Sequence, residues 1–139
     1  MPYRHKINET EEGKPLDQHP DYETIEYHLV YAELIKVARH RGTITSQELA
    51  ALLGLPPKDD HTKERLGNLL ELISWNEVNH DRPMLGAVAV TKRSDLGERF
   101  YTLARELGEL ATEGRQDAAD FREEELQRIY KTWQQKFQK

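Results

Sequence analysis

Apolar residues recur at helical spacing over residues 21–41. Ile25, Leu29, Ala32, Ile35 and Ala38 form one stripe, and Tyr27, Val30, Tyr31, Leu34 and Val37 widen it. An arc this broad predicts a helix packed on more than one side. Arg39, His40 and Arg41 fill its last turn, where positive charge suits the helix dipole, and Gly42 is placed to stop it. A β-branched bridge, Thr43-Ile44-Thr45, follows. Thr45 and Glu48 then stand at capping-box spacing: the hydroxyl accepts from an orphan amide while the carboxylate reaches back. The short helix they open runs through Leu49, Ala50, Leu52 and Leu53 and ends at Gly54, before Pro56-Pro57. A longer helix over residues 62–79 buries Leu66, Leu69, Leu70 and Ile73.

Residues 84–91 predict a strand. Met84, Gly86, Val88 and Val90 would face one way and Leu85, Ala87 and Ala89 the other, so a strand here would be covered on both sides. Past a polar turn at 92–95, Phe100, Leu103, Ala104 and Leu107 fit a helix ended by Gly108, with a wing strand over 99–103 as the alternative for residues 97–107. Residues 118–137 form a charged amphipathic helix with Phe121, Leu126, Ile129, Tyr130, Trp133 and Phe137 on or near one face. Those aromatics must be buried in the chain's own core, against a symmetry mate or against another partner. Residues 1–20, with Gly13, Pro15 and Pro20 and little apolar content, predict an extended or mobile arm. The expected organisation is an arm at 1–20, a domain at 21–108, and a linker with C-terminal helix at 109–139.

Helix, short strand, helix, turn, helix, strand, polar turn is the order of a winged-helix domain. The expected class is therefore mainly α with a small β element (α+β), with a helix-turn-helix core and an added C-terminal amphipathic helix. The run from Ile44 to Gly54 resembles the second helix of many such domains: a capped short helix, two alanines that allow close approach, and a glycine stop. Residues 73–90, 97–104 and 121–130 together resemble a family of small, poorly characterised bacterial proteins with a winged-helix-like core. That family has a Gly-Phe-Phe-like step where this chain reads Gly97-Glu98-Arg99-Phe100. The resemblance implies a bacterial or phage origin and a coherent fold, and it brings no established activity.

Composition narrows the classes. The chain of 139 residues is the size of one domain, and its lack of cysteine excludes a disulfide framework and a zinc-thiolate site. No apolar run approaches the ~20 residues of a membrane span. The first residues lead into Asn8-Glu9-Thr10-Glu11-Glu12 rather than an apolar stretch, so no signal peptide is expected and a cytoplasmic setting is. The net charge is −5, and residues 43–83 carry seven acids against four bases. Phosphate contacts supply most non-specific DNA affinity, so this balance disfavours tight duplex binding.

Three sets of residues are candidates for function. In a DNA-reading arrangement the third helix would show Lys63, Glu64, Asn68, Glu71 and Trp75, with Lys63, Asn68, Lys92 and Arg93 as nucleic-acid contacts; one asparagine between two glutamates is a poor base reader. Glu77, His80, Asp81 and Arg82 form the densest polar cluster. It is a site for metal-dependent hydrolysis if the acids converge on a cation, and an ordinary helix terminus if Arg82 pairs with Glu77 or Asp81. Trp75, Tyr130, Trp133 and Phe137 are the candidate partner-binding anchors. No histidine pair stands at i, i+4, and no phosphate-binding glycine loop or nucleophile elbow is present, so no catalytic residue, metal ligand or cofactor is assigned. The leading expectation is a non-enzymatic interaction or accessory module that contacts protein, itself included as a homo-oligomer. A DNA-binding regulator comes second and a metal-dependent hydrolase or nuclease third.

Overall fold

Helical periodicity dominates the described residues, which in the computed structural model are 19–90, 96–109 and 118–134. They form a mostly helical fold with one two-stranded parallel ladder. The arm at 1–18, Lys92 and Arg93, residues 110–117 and Phe137 lie outside them. A 3-10 turn at Pro20–Glu23 takes the place expected for the first helical residues and moves the helix start to Ile25. Thr24 caps helix α1 (Ile25–Arg39) by accepting the Tyr27 amide at 3.1 Å.

The stripe expected to face the core from α1 divides. Tyr27, Val30, Leu34 and Ala38 are buried, whereas Ile25 is 76% exposed and Leu29 41%. Ten apolar positions on one helix are more than its neighbours cover, and the long Tyr27 and Tyr31 side chains take the core-facing side. The stop is also displaced. Arg41, at φ 58°, adopts the left-handed conformation expected of Gly42, and the Gly42 amide instead bonds back to the Val37 carbonyl at 3.0 Å.

Strand β1 (Ile44–Thr45) leads into α2 (Ser46–Leu53), whose capping box forms as its spacing demands. Thr45 Oγ1 accepts the Glu48 amide at 3.0 Å and Glu48 accepts the Thr45 amide at 2.9 Å. Gly54, at φ 71°, ends α2. Asp59 caps α3 (Asp60–Asn79), accepting the His61 amide at 2.7 Å.

The strand expected over 84–91 is mostly not one. Leu85–Val88 form a 3-10 turn, and among the described residues of this segment the strand is β2 (Ala89–Val90), pairing in parallel with β1 in the register Ile44 with Ala89 and Thr45 with Val90. Such a pair needs a crossover, which α2 and α3 supply. Close approach to α3 produces the turn. Gly86 donates its amide to Ser74 Oγ at 2.9 Å, and a β-carbon at Gly86 would stand 2.6 Å from that oxygen. Burial on all sides does hold, since residues 84–89 are all buried.

Residues 96–106 are helical (α4, Leu96–Glu106), so the wing-strand alternative at 99–103 is not adopted; Gly108, at φ 78°, follows the helix as expected. Helix α5 (Ala118–Trp133) packs on α1 and on the 85–88 turn. Its Leu126, Ile129 and Tyr130 enter the core formed by α1, α2 and α3. Phe121 joins a second cluster with Trp75, Val78, Met84, Leu103, Ala104 and Leu107. A boundary at residue 108 therefore separates elements that share a core. No helix among the described residues is long and apolar enough to cross a membrane.

Candidate interaction surfaces

The polar cluster at the end of α3 contains a buried ion pair. Glu77 is fully buried; Arg82 Nε reaches its Oε1 at 2.9 Å and Arg82 Nη2 its Oε2 at 2.9 Å. The Tyr31 hydroxyl of α1 donates to the same Oε2 at 2.5 Å. Burial, with the Glu77 carboxylate beside it, pushes the Tyr31 phenol up to about 12. Donating to the Glu77 carboxylate holds the Arg82 guanidinium above its ordinary value, and the guanidinium also lies 5.7 Å from the Trp133 ring of α5. His80 and Asp81 are exposed and do not converge on Glu77. The His80 ring sits on the Asn76 carbonyl at 2.8 Å, and Asp81 takes the left-handed position after the helix, at φ 62°. Both oxygens of Glu77 are thus engaged in joining three elements. Among the described residues no cluster of three or more histidines and acids could hold a metal ion.

The face of α3 considered for reading DNA is crossed by Arg99 of α4, although Lys63, Glu64 and Asn68 on it stay exposed. Arg99 donates to Glu71 at 2.7 Å and to Asn68 at 2.9 Å, with Glu64 at 3.8 Å. Gly67 makes room: a β-carbon there would stand 1.9 Å from the Arg99 guanidinium. Trp75, on the same helix, is 5% exposed and packs in the second cluster. Of the contacts assigned on this helix, Lys63 alone remains exposed without a described partner, while Asn68 is occupied.

The aromatic anchors are likewise turned inward. Tyr130 is 7% exposed and donates its hydroxyl to the Gly42 carbonyl at 2.9 Å; Trp133 is partly buried against the core. Trp75 and Tyr130 therefore offer no surface to a partner. Of the three destinations open to the α5 stripe, the chain's own core takes its described members. Two polar contacts fix the helix there: Glu125, 1% exposed, accepts the Met84 amide at 2.7 Å, and Arg122 donates to the Ala87 carbonyl at 2.9 Å.

Among the described residues, the large apolar side chains left exposed are Leu52 of α2, at 39%, and a pair on the outer face of α1. Ile25, Leu29, Ala32 and Lys36 recur at i, i+4, i+7 and i+11, and all four are exposed. This surface was assigned to the core because the periodic signal reports that a face is apolar and not which neighbour covers it. Glu23 is exposed at its start, and Lys36, Arg39, His40 and Arg41 are exposed at its end. No protein-family model, curated protein or solved structure matches the chain.

Proposed function

We propose that the chain is a non-enzymatic interaction or accessory module with a winged-helix-like core, and that it contacts protein through the outer face of α1. The succession α1, β1, α2, α3, β2 supports the helix-turn-helix part of that reading, since it is the order on which the winged-helix expectation rests. Helix α4 stands where a wing would run. The observation that carries the function is Ile25, 76% exposed, with Leu29 one turn further on. A large aliphatic side chain left in water beside another marks a contact surface more readily than scattered single residues do.

The DNA-binding alternative needs the α3 face that Arg99 crosses, and the hydrolase alternative needs a Glu77 free of Arg82. Both are weaker for that reason. The test is a photo-crosslinking residue placed at position 25 of the full chain, with position 131, exposed on α5, as the control. Polypeptide adducts at 25 and not at 131 are expected. Equal yields, or none at 25, overturn the reading, and salt-sensitive duplex binding in the same preparation would point to the regulator instead.

A further inference from the structure

We infer that the occupant of the α1 face is a second copy of this chain, its α1 packed antiparallel about a two-fold axis beside Leu29. The inference rests on α1 being the contact surface and adds the identity of the partner. Its ground is the charge order along the helix. The starting end is acidic, with Asp21, Glu23 and Glu26; among the described residues Arg65 pairs with Asp21 and Glu26, and His19 Nδ1 lies 3.8 Å from Asp21. The finishing end is basic, with Lys36, Arg39 and Arg41 exposed, and none of the three has an ion-pair partner among the described residues.

Helix geometry makes this order self-complementary. At about 1.5 Å per residue, Lys36 lies ~10 Å beyond Leu29 and Ile25, the first residue of α1, ~6 Å before it, with Glu23 in the 3-10 turn that leads into the helix. A two-fold axis at Leu29 therefore turns each Lys36 towards the acidic end of the partner's α1, where Glu23 is exposed, and each Ile25 towards the partner's small Ala32, with the two Leu29 side chains meeting at the centre. The helix dipoles oppose one another in this arrangement, as do the end charges. A parallel arrangement would set acid against acid at one end and base against base at the other.

Two large apolar residues per copy supply only part of the roughly 1,600 Å² of a standard interface, so association is expected in the range of about 100 µM. Sedimentation equilibrium of the full chain from ~10 µM to ~1 mM at low salt tests this. The average mass should climb from monomer towards dimer. Leu29→Glu, on an exposed site, should keep the circular dichroism of the wild type and abolish the climb. Lys36→Glu should weaken association at least about fivefold, and Glu23→Lys added to it should restore most of the loss. A chain that stays monomeric at 1 mM overturns the inference, as does a Leu29→Glu variant that still associates. A double variant that fails to recover overturns the antiparallel register. If the chain is monomeric while position 25 crosslinks a different polypeptide, the second copy is wrong and the α1 surface stands. Crosslinks from 25 to residues 1–18 of the same chain sink both.

Discussion

Glu77 and Glu125 are the two buried carboxylates among the described residues, and each has a different relation to its surroundings. Glu77 is matched by a two-point contact with Arg82 and by the Tyr31 hydroxyl, so its desolvation is offset by three hydrogen bonds. Arg82→Met should leave that carboxylate buried without a counter-charge and lower the urea-unfolding free energy by about 3 kcal/mol. A loss under ~1 kcal/mol would mean that water already serves Glu77. Glu125 is matched less well: it has the Met84 amide and one guanidinium contact from the exposed Arg128, 2.7 Å away. Burial, the largest influence, pushes its carboxyl above the usual 4.5. A carboxyl whose folded value exceeds its unfolded one binds more protons when folded. Its stabilising contribution is thus full below about 4.5 and is lost as pH rises through the folded value. Glu125→Gln keeps an acceptor for the Met84 amide and removes the charge. Its stability relative to wild type should therefore rise between pH 4 and pH 7 in paired denaturation curves. A flat difference would show that Glu125 carries no raised value.

At the scale of elements, the pairing of Gly67 with Arg99 decides how α4 sits. Glycine within a helix is about 1 kcal/mol less favourable than alanine, and here it admits the guanidinium that reaches Glu71 and Asn68. Gly67→Ala should stabilise an Arg99→Ala background by about 1 kcal/mol and the wild type by clearly less, because the new methyl displaces Arg99 and its bonds. The coupling in the double-mutant cycle should approach ~1 kcal/mol, and additivity would deny that the two residues act together. Nothing in the sequence announced this contact. Ion pairs joining residues 28 positions apart leave no periodic trace, and so the sequence left Asn68 among the candidate nucleic-acid contacts, without the Arg99 that occupies it. Local signals fared better: the Thr45 and Glu48 box and the Gly54 and Gly108 stops were legible because each is settled within one helical turn. The strand over 84–91 was not, since a run that is apolar on both faces fits any fully buried conformation. The choice of a 3-10 turn came from Gly86 lying against Ser74.

For the molecule as a whole, the place of α5 matters most. Its amphipathic pattern showed that the stripe needed covering, while the identity of the cover depended on how α1 and the 85–88 turn are presented in three dimensions. Phe121, Leu126, Ile129 and Tyr130 are all buried in this chain, at roughly 1.5–3 kcal/mol of burial each. Their sum, about 6–12 kcal/mol, matches the whole net stability of an ordinary domain, about 5–15 kcal/mol. Removal of residues 118–139 should therefore abolish cooperative unfolding and raise dye binding to exposed apolar surface, rather than turn a dimer into a well-folded monomer. Near-ultraviolet circular dichroism and a thermal melt of the truncated chain distinguish the two. A sharp melt with wild-type dichroism would show that α5 is an appendage and return its aromatic face to the candidate partner surfaces. A lost transition would make α5 part of the core and leave the outer face of α1 as the surface on which contact with another polypeptide depends.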